Sequence, residues 1–213
     1  MVDTSTVKLE TWPYSDILPF LSEHVQPSDQ ILLLGCGTNL PVMLSHDGYG
    51  ARDSRSFIQC VDYDAARVEV AKEMAAADPI CAKHMADGHL RFIVLDVTGG
   101  MPELEQSSFD SVVDFGFFDH LITTQGTEKA GLCLEAAHRA VRLGNPLVAI
   151  SRIQKSDFEL LFDGKWGWMQ ELDGDPGAVS QWYRGQNVNI KDAVNNFKEL
   201  GLNFFVYTNV DNC

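Results

Sequence analysis

Positive charge is what this chain has least of. Its 213 residues carry 16 lysines and arginines against 30 aspartates and glutamates, a formal net charge of −14. No basic tract occurs anywhere along it. Binding to DNA or RNA rests on cationic surface that displaces counterions from phosphates, so nucleic acid is set aside as a partner. Long apolar runs are also missing, and no stretch approaches the about 20 residues of a membrane span. The N-terminal MVDTSTVKLE has no basic segment followed by an apolar one, so no signal peptide is expected. The five cysteines are an odd number and show no CxxC or Cys/His metal spacing. A disulfide framework and a structural zinc are therefore not expected, and a reducing, cytoplasmic location is. Repeats, low-complexity tracts and linkers are absent as well.

What is present is ordinary globular composition, 45% hydrophobic and 22% charged, enough for one core and one domain over 1–213. Residues 1–12 read as a loose arm and Tyr14–Val25 as a helix. Then strands and helices alternate. Strands are expected at Gln30–Leu34, Phe57–Val61, Leu90–Leu95, Ser111–Asp114 and Pro146–Ile153. Helices are expected from Asn39 to about Gly48, from Asp64 through Ala77, and over Thr127–Leu143 with Gly144 at the C-terminal cap. The C-terminal third is less regular: a helical turn at Asp157–Phe162, a strand at Trp166–Leu172, a helix at Ile190–Leu200 and a last strand at Asn203–Thr208. Alternation of this kind implies an α/β, doubly wound, mostly parallel sheet with right-handed crossovers. The loop at 173–189 is long enough to serve as a lid.

The most informative segment is ILLLGCGTN, residues 31–39. A buried strand runs into glycines and then a helix start. Gly35 permits a tight turn, and Gly37 lets backbone approach a ligand closely. GxG alone equally suits an ordinary turn in an α/β protein. FIQCVDYD adds to it: Asp62 ends the next strand 27 residues after Gly35, where a carboxylate can accept both hydroxyls of a ribose. A nicotinamide enzyme usually adds a third glycine, which here is Leu40, and needs room for a substrate domain. Both points favour S-adenosyl-L-methionine (SAM) over NAD as the cofactor.

These residues resemble a known family. LLLGCGTN is similar to the first motif of class I SAM-dependent methyltransferases, and FIQCVDYD to their second-strand acidic motif. LRFIVLDVTGGMPELEQSSFDSVVDFGFFDHL resembles their third and fourth strands. The nearest group contains the lysine methyltransferases of translation elongation factor 1 alpha, with G-C-G-N-S, V-D-Y-S, M-D-V and F-D-x-V-x-D-K-G-T-L-D-A-L. The resemblance covers about Thr11–Ser151 and implies a seven-stranded Rossmann-like sheet with an antiparallel last strand. It implies that Gly35, Cys36, Gly37 and Asn39 line the methionine and ribose. Asp62 would hold the ribose, Tyr63 would pack beside the adenine, and Asp96 and Val97 would contact that ring. Asp114 and Gly116 would face the reacting methyl group.

The departures bear on the methyl acceptor. The family's D-K-G-T-L-D is Asp114-Phe115-Gly116-Phe117-Phe118-Asp119 here, without the lysine and with added aromatics. The upstream Y-W-x-x-R-Y is reduced to Thr11-Trp12-Pro13-Tyr14. Phe115, Phe117, Phe118, Trp12 and Tyr14 are read as acceptor-side residues, with plain core packing as the alternative. Asp114, Asp119 and His120 are read as the catalytic group, able to take a proton from the acceptor. Asp114 is equally well read as a strand-end residue bonding backbone N–H groups. Trp166, Trp168, Trp182 and Tyr183 would form a substrate rim. A small-molecule acceptor and a basic protein, a lysine in particular, both remain open. So does a SAM-binding protein without catalysis.

Overall fold

Alternate side chains of each strand point to opposite faces of a sheet, and in this chain both faces need covering. On β1 (Gln30–Leu34), Ile31 and Leu33 enter one core, while Leu32 and Leu34 enter another. That is why the run is continuously apolar, as in a strand buried on both sides. The computed structural model describes residues 14–37, 39–96, 99–153, 155–162, 167–172 and 201–210. The 1–12 arm, the 173–189 loop and the expected helix at 190–200 lie outside them.

Seven described strands form one sheet in the order β3-β2-β1-β4-β5-β7-β6. Beside β1 these are β2 (Phe57–Asp62), β3 (Leu90–Val94), β4 (Ser111–Phe115), β5 (Pro146–Ser151), β6 (Trp168–Leu172) and β7 (Asn203–Asn209). The first five run parallel, and β7 is antiparallel to both β5 and β6. The expected fold class is thus the observed one, a mostly parallel sheet whose last strand is reversed. Helices α1 (Tyr14–His24), α2 (Leu40–His46), α3 (Ala65–Ala77) and α4 (Pro79–Ala86) cover one face. Helices α5 (Phe117–Gln125) and α6 (Thr127–Ala140) cover the other, joined by Phe158 of the short α7 (Lys155–Glu159). No described helix is long and apolar enough to cross a membrane.

Several helix ends differ from the sequence reading, each for a local reason. Asp64 caps α3 as expected, accepting from the Ala66 and Arg67 N–H groups. Asp78 then both ends α3 and caps α4, with Pro79 in the first turn, a helix the apolar pattern did not announce. The Asp78 Oδ2 lies 2.8 Å from His46 Nε2, tying α2 to α4. Its carboxyl is pushed down to about 2, chiefly by the Cys81 N–H and then by His46. Asn39 stands at the cap position of α2, but its side chain makes no capping bond. Helix α6 stops at Ala140 and not Leu143, because Val141 turns extended and bridges Phe109. Its last carbonyls are met by Asn209 Nδ2 from β7, at 3.2 Å to His138 and 3.0 Å to Val141. Gly144 serves the turn into β5.

Helix α5 begins through a side chain. Gly116, at φ 71°, turns the chain sharply after β4, a conformation that glycine adopts without strain. Asp114 Oδ1 then accepts the N–H groups of Phe117 and Phe118, both at 3.0 Å. The carboxyl is 0% exposed and its Oδ2 has no hydrogen-bond partner. Burial, and after it the nearby Asp119, raise its pKa well above the ordinary carboxylate range. Asp114→Ala should therefore cost about 1–3 kcal/mol, the cost of orphaned helix N–H groups. Asp114→Asn keeps the acceptor and removes the ionisation. In the native protein the unfolded chain loses this proton first as pH rises, so stability falls between the unfolded and folded pKa values. Denaturant titrations of Asp114→Asn and native protein should diverge with rising pH, in favour of the variant. A constant difference from pH 4 to pH 8 would contradict a raised Asp114.

Candidate functional site

Strand order reverses between β1 and β4, so the loops that leave their carboxyl ends run in opposite directions and leave a crevice. Open α/β sheets bind ligands at such a switch point. Here the crevice is a cleft lined by Gly35, Gly37, Asp62, Arg67, Phe115, Gly116, Phe117 and His120.

The glycine loop and the β2 end are locked together. Gly35 donates its N–H to the Val61 carbonyl at 2.7 Å. Cys36 donates to Asp62 Oδ2 and Asp64 to Asp62 Oδ1, both at 2.9 Å. Asp62 is 2% exposed. Burial raises its pKa, while the Asp64 and Cys36 N–H groups and the Arg67 charge pull it back. Each carboxylate oxygen has two lone-pair sites, so each retains one for a ligand.

The two glycines make room for particular neighbours. Gly35 has φ 85°, and a Cβ there would sit 2.9 Å from the Phe117 ring. A Cβ on Gly37 would meet Arg67 Nη1 at 2.5 Å. The far wall is α5. His120 Nε2 lies 2.8 Å from the Tyr63 hydroxyl, and the two rings are nearly parallel, with centroids 6.2 Å apart. Tyr63 follows β2 and His120 follows β4, so this contact spans the cleft above the end of β1.

The sequence-selected residues separate into groups. Gly35, Gly37, Asp62, Gly116, Phe117 and His120 meet at the cleft, with Tyr63 bonded to His120. Cys36 contributes its backbone N–H; its thiol is buried and pushed up, first by its hydrogen bond with Cys60 and then by burial. Asp114 lies beneath, holding α5. Asp119 is turned toward β5, accepting from Ser151 Oγ at 2.5 Å and Arg152 N–H at 2.6 Å. Its pKa is raised, chiefly by burial. Phe118 is core, edge-on to Phe158, and Tyr14 is core under α1. Asn39 is half-buried at the start of α2. Asp96 is exposed past β3, where its Oδ1 accepts the Gly99 N–H at 3.2 Å. Trp12, Val97, Trp166, Trp182 and Tyr183 lie outside the described residues. Trp168 packs edge-on to His138. Phe115 lines the cleft too, and so does Arg67, which was not selected. Arg67 was within reach of the pattern: it stands three residues after the cap Asp64, in the first turn of α3, at the end of the helix that faces the cleft.

No protein-family model matches the sequence, and no curated protein sequence matches it. Solved structures do match its fold. A Haloferax volcanii putative methyltransferase, in complex with the Trm112 methyltransferase activator, aligns with a TM-score of 0.61 at 16% identity, covering 94% of this chain and 90% of that one. The [4+2]-cyclase SpnF aligns at 0.60 and 12% identity, covering 99% and 86%. The geranyl diphosphate C-methyltransferase of Streptomyces coelicolor, solved with Mg2+, geranyl diphosphate and S-adenosyl-L-homocysteine, aligns at 0.56 and 14% identity, covering 92% and 77%. At these identities the likeness is one of fold: the chain has the Rossmann-like fold found in methyltransferases.

Proposed function

We propose that this protein is a SAM-dependent methyltransferase acting on a small molecule. The observation that carries the reading is Asp62, a buried carboxylate at the end of β2 with an acceptor site left on each oxygen and an open cleft beside it. A ribose diol fits those two positions. The fold, shared with methyltransferases, supports the same reading.

SAM, when bound, supplies an electrophilic methyl group for in-line displacement. The chain has to bind and orient the reactants and manage a proton. Asp62 holds the sugar, and Gly35 and Gly37 bring the cofactor close to backbone. Phe115 and Phe117 give the acceptor side an apolar wall, which suits a small acceptor. His120 is the cleft-lining group suited to take a proton, and Tyr63 orients its ring. Asp114 and Asp119 support α5 and are engaged away from the cleft. A protein lysine is the second reading, favoured by the net charge of −14, which would attract a basic partner.

Calorimetry with SAM, S-adenosyl-L-homocysteine and NADH separates the cofactor classes. SAM and its product should bind, and tight binding of NADH alone would overturn the proposal. Asp62→Ala should weaken SAM affinity by at least about a hundredfold, the lower end of the worth of two hydrogen bonds to a charged group. The ionised carboxylate accepts the hydroxyls, so affinity should fall as pH drops through the Asp62 titration. Because burial raises that pKa, the fall should begin above the range of an exposed aspartate. Affinity level down to pH 4 would place the sugar elsewhere. Radiolabelled SAM added to cell lysate should label the small-molecule fraction; label confined to protein would establish the second reading.

A further inference from the structure

The methyl donor carries one anionic group, the carboxylate of its aminoacyl chain. The cleft holds a guanidinium that the function described so far does not use. Among the described residues, Arg67 is the only arginine or lysine lining it. We propose that Arg67 is the receptor for the cofactor's carboxylate, an inference that rests on the SAM reading.

Its placement follows from α3. Asp64 caps that helix with Oδ1, and its Oδ2 stands 3.6 Å from Arg67 Nε. The carboxylate therefore steadies the base of the guanidinium. The outer nitrogen Nη1 reaches over Gly37, where even a methyl group would collide with it at 2.5 Å. The guanidinium therefore lies directly against the backbone of the glycine loop. The side chain is about one-third exposed, so a ligand entering the cleft meets it directly.

The charges then set the direction in which the cofactor lies. Asp62 fixes the ribose over the end of β2. From there the ligand crosses the loop after β1 toward β4, passing Gly37 and hence Nη1. A carboxylate pairs with a guanidinium through two parallel hydrogen bonds. The sulfonium and the α-ammonium are repelled by the same group. Arg67 therefore draws the carboxylate to the β1 loop and leaves the sulfonium on the side of Phe115, Phe117 and His120. The device favours adenosyl ligands with an amino-acid tail over those without one.

Two thioethers test this directly. S-Adenosyl-L-homocysteine and 5′-methylthioadenosine share the adenosine and the neutral sulfur, and differ in the aminoacyl chain. Titration calorimetry of native protein should show the first binding more tightly. Arg67→Met, which keeps the apolar stem, should weaken S-adenosyl-L-homocysteine by about ten- to a hundredfold, the worth of hydrogen bonds to a charged group. It should leave 5′-methylthioadenosine within about twofold. Arg67→Lys, a point charge without the fork, should fall between. Equal losses for both ligands would mean that Arg67 only shapes the loop, and no loss for either would mean it touches neither; each overturns the inference while leaving the SAM reading intact. Native protein that binds neither thioether overturns the SAM reading, and this inference with it.

Discussion

The bond from the Cys36 N–H to Asp62 Oδ2 holds the site together. A buried carboxylate is costly unless hydrogen-bonded, and Asp62 is satisfied by amides from two separate loops. Cys36 belongs to the loop after β1, and Asp64 to the turn before α3. The acid therefore staples the ends of two neighbouring strands. Once it does, Gly35 continues the β1–β2 ladder through Val61, and Gly37 is carried beneath Arg67. Asp62 also lines the cleft. The same group thus builds the loop and offers it to a ligand.

A second buried acid shows why environment decides the role. Asp62 ends β2 and Asp114 is the last residue but one of β4, the two strands that flank β1, yet burial acts on them to different extents. Asp62 keeps two amides and the Arg67 charge to counter desolvation. Asp114 has amides on one oxygen only, faces the carboxylate of Asp119, and is shut off from solvent. Both amides on Asp114 belong to the start of α5, so this acid is engaged as the cap of that helix. On the α5 side the ring that reaches the cleft is that of His120.

The sheet was legible because its constraints are local. Continuous apolar runs such as Ile31–Leu34 announce strands covered on both faces, and their order with the helices implies the winding. Reversal of β7 came with the family resemblance. Helix α5 was hidden because its start is written in a side chain, Asp114, three residues ahead of its first turn. Helix α4 was hidden because Asp78 both stops one helix and starts the next. At the site, Gly35, Gly37 and Asp62 carry their chemistry in the sequence. The Tyr63–His120 contact joins residues 57 positions apart, and no periodicity signals it. Nothing in the local sequence around Arg67 signals that its outer nitrogen reaches over Gly37.

The donor side and the acceptor side of the cleft are built by different means, and this explains why one was easier to read. In the proposed reaction donor recognition would hang on backbone amides and one acid at strand ends, features that the parallel sheet imposes on the chain. Acceptor recognition would hang on what α5 and the end of β4 project into the cleft. There Phe117 packs over Gly35, Phe115 of β4 lines the wall, and His120 closes toward Tyr63. These contacts narrow the opening above β1. Under the proposed function, a flat or slender acceptor would suit this opening, with its apolar face against the phenylalanine rings and its polar atom toward the imidazole. The selectivity of the proposed reaction therefore lies in α5, and Asp114, by starting that helix, sets it from beneath without touching the reactants.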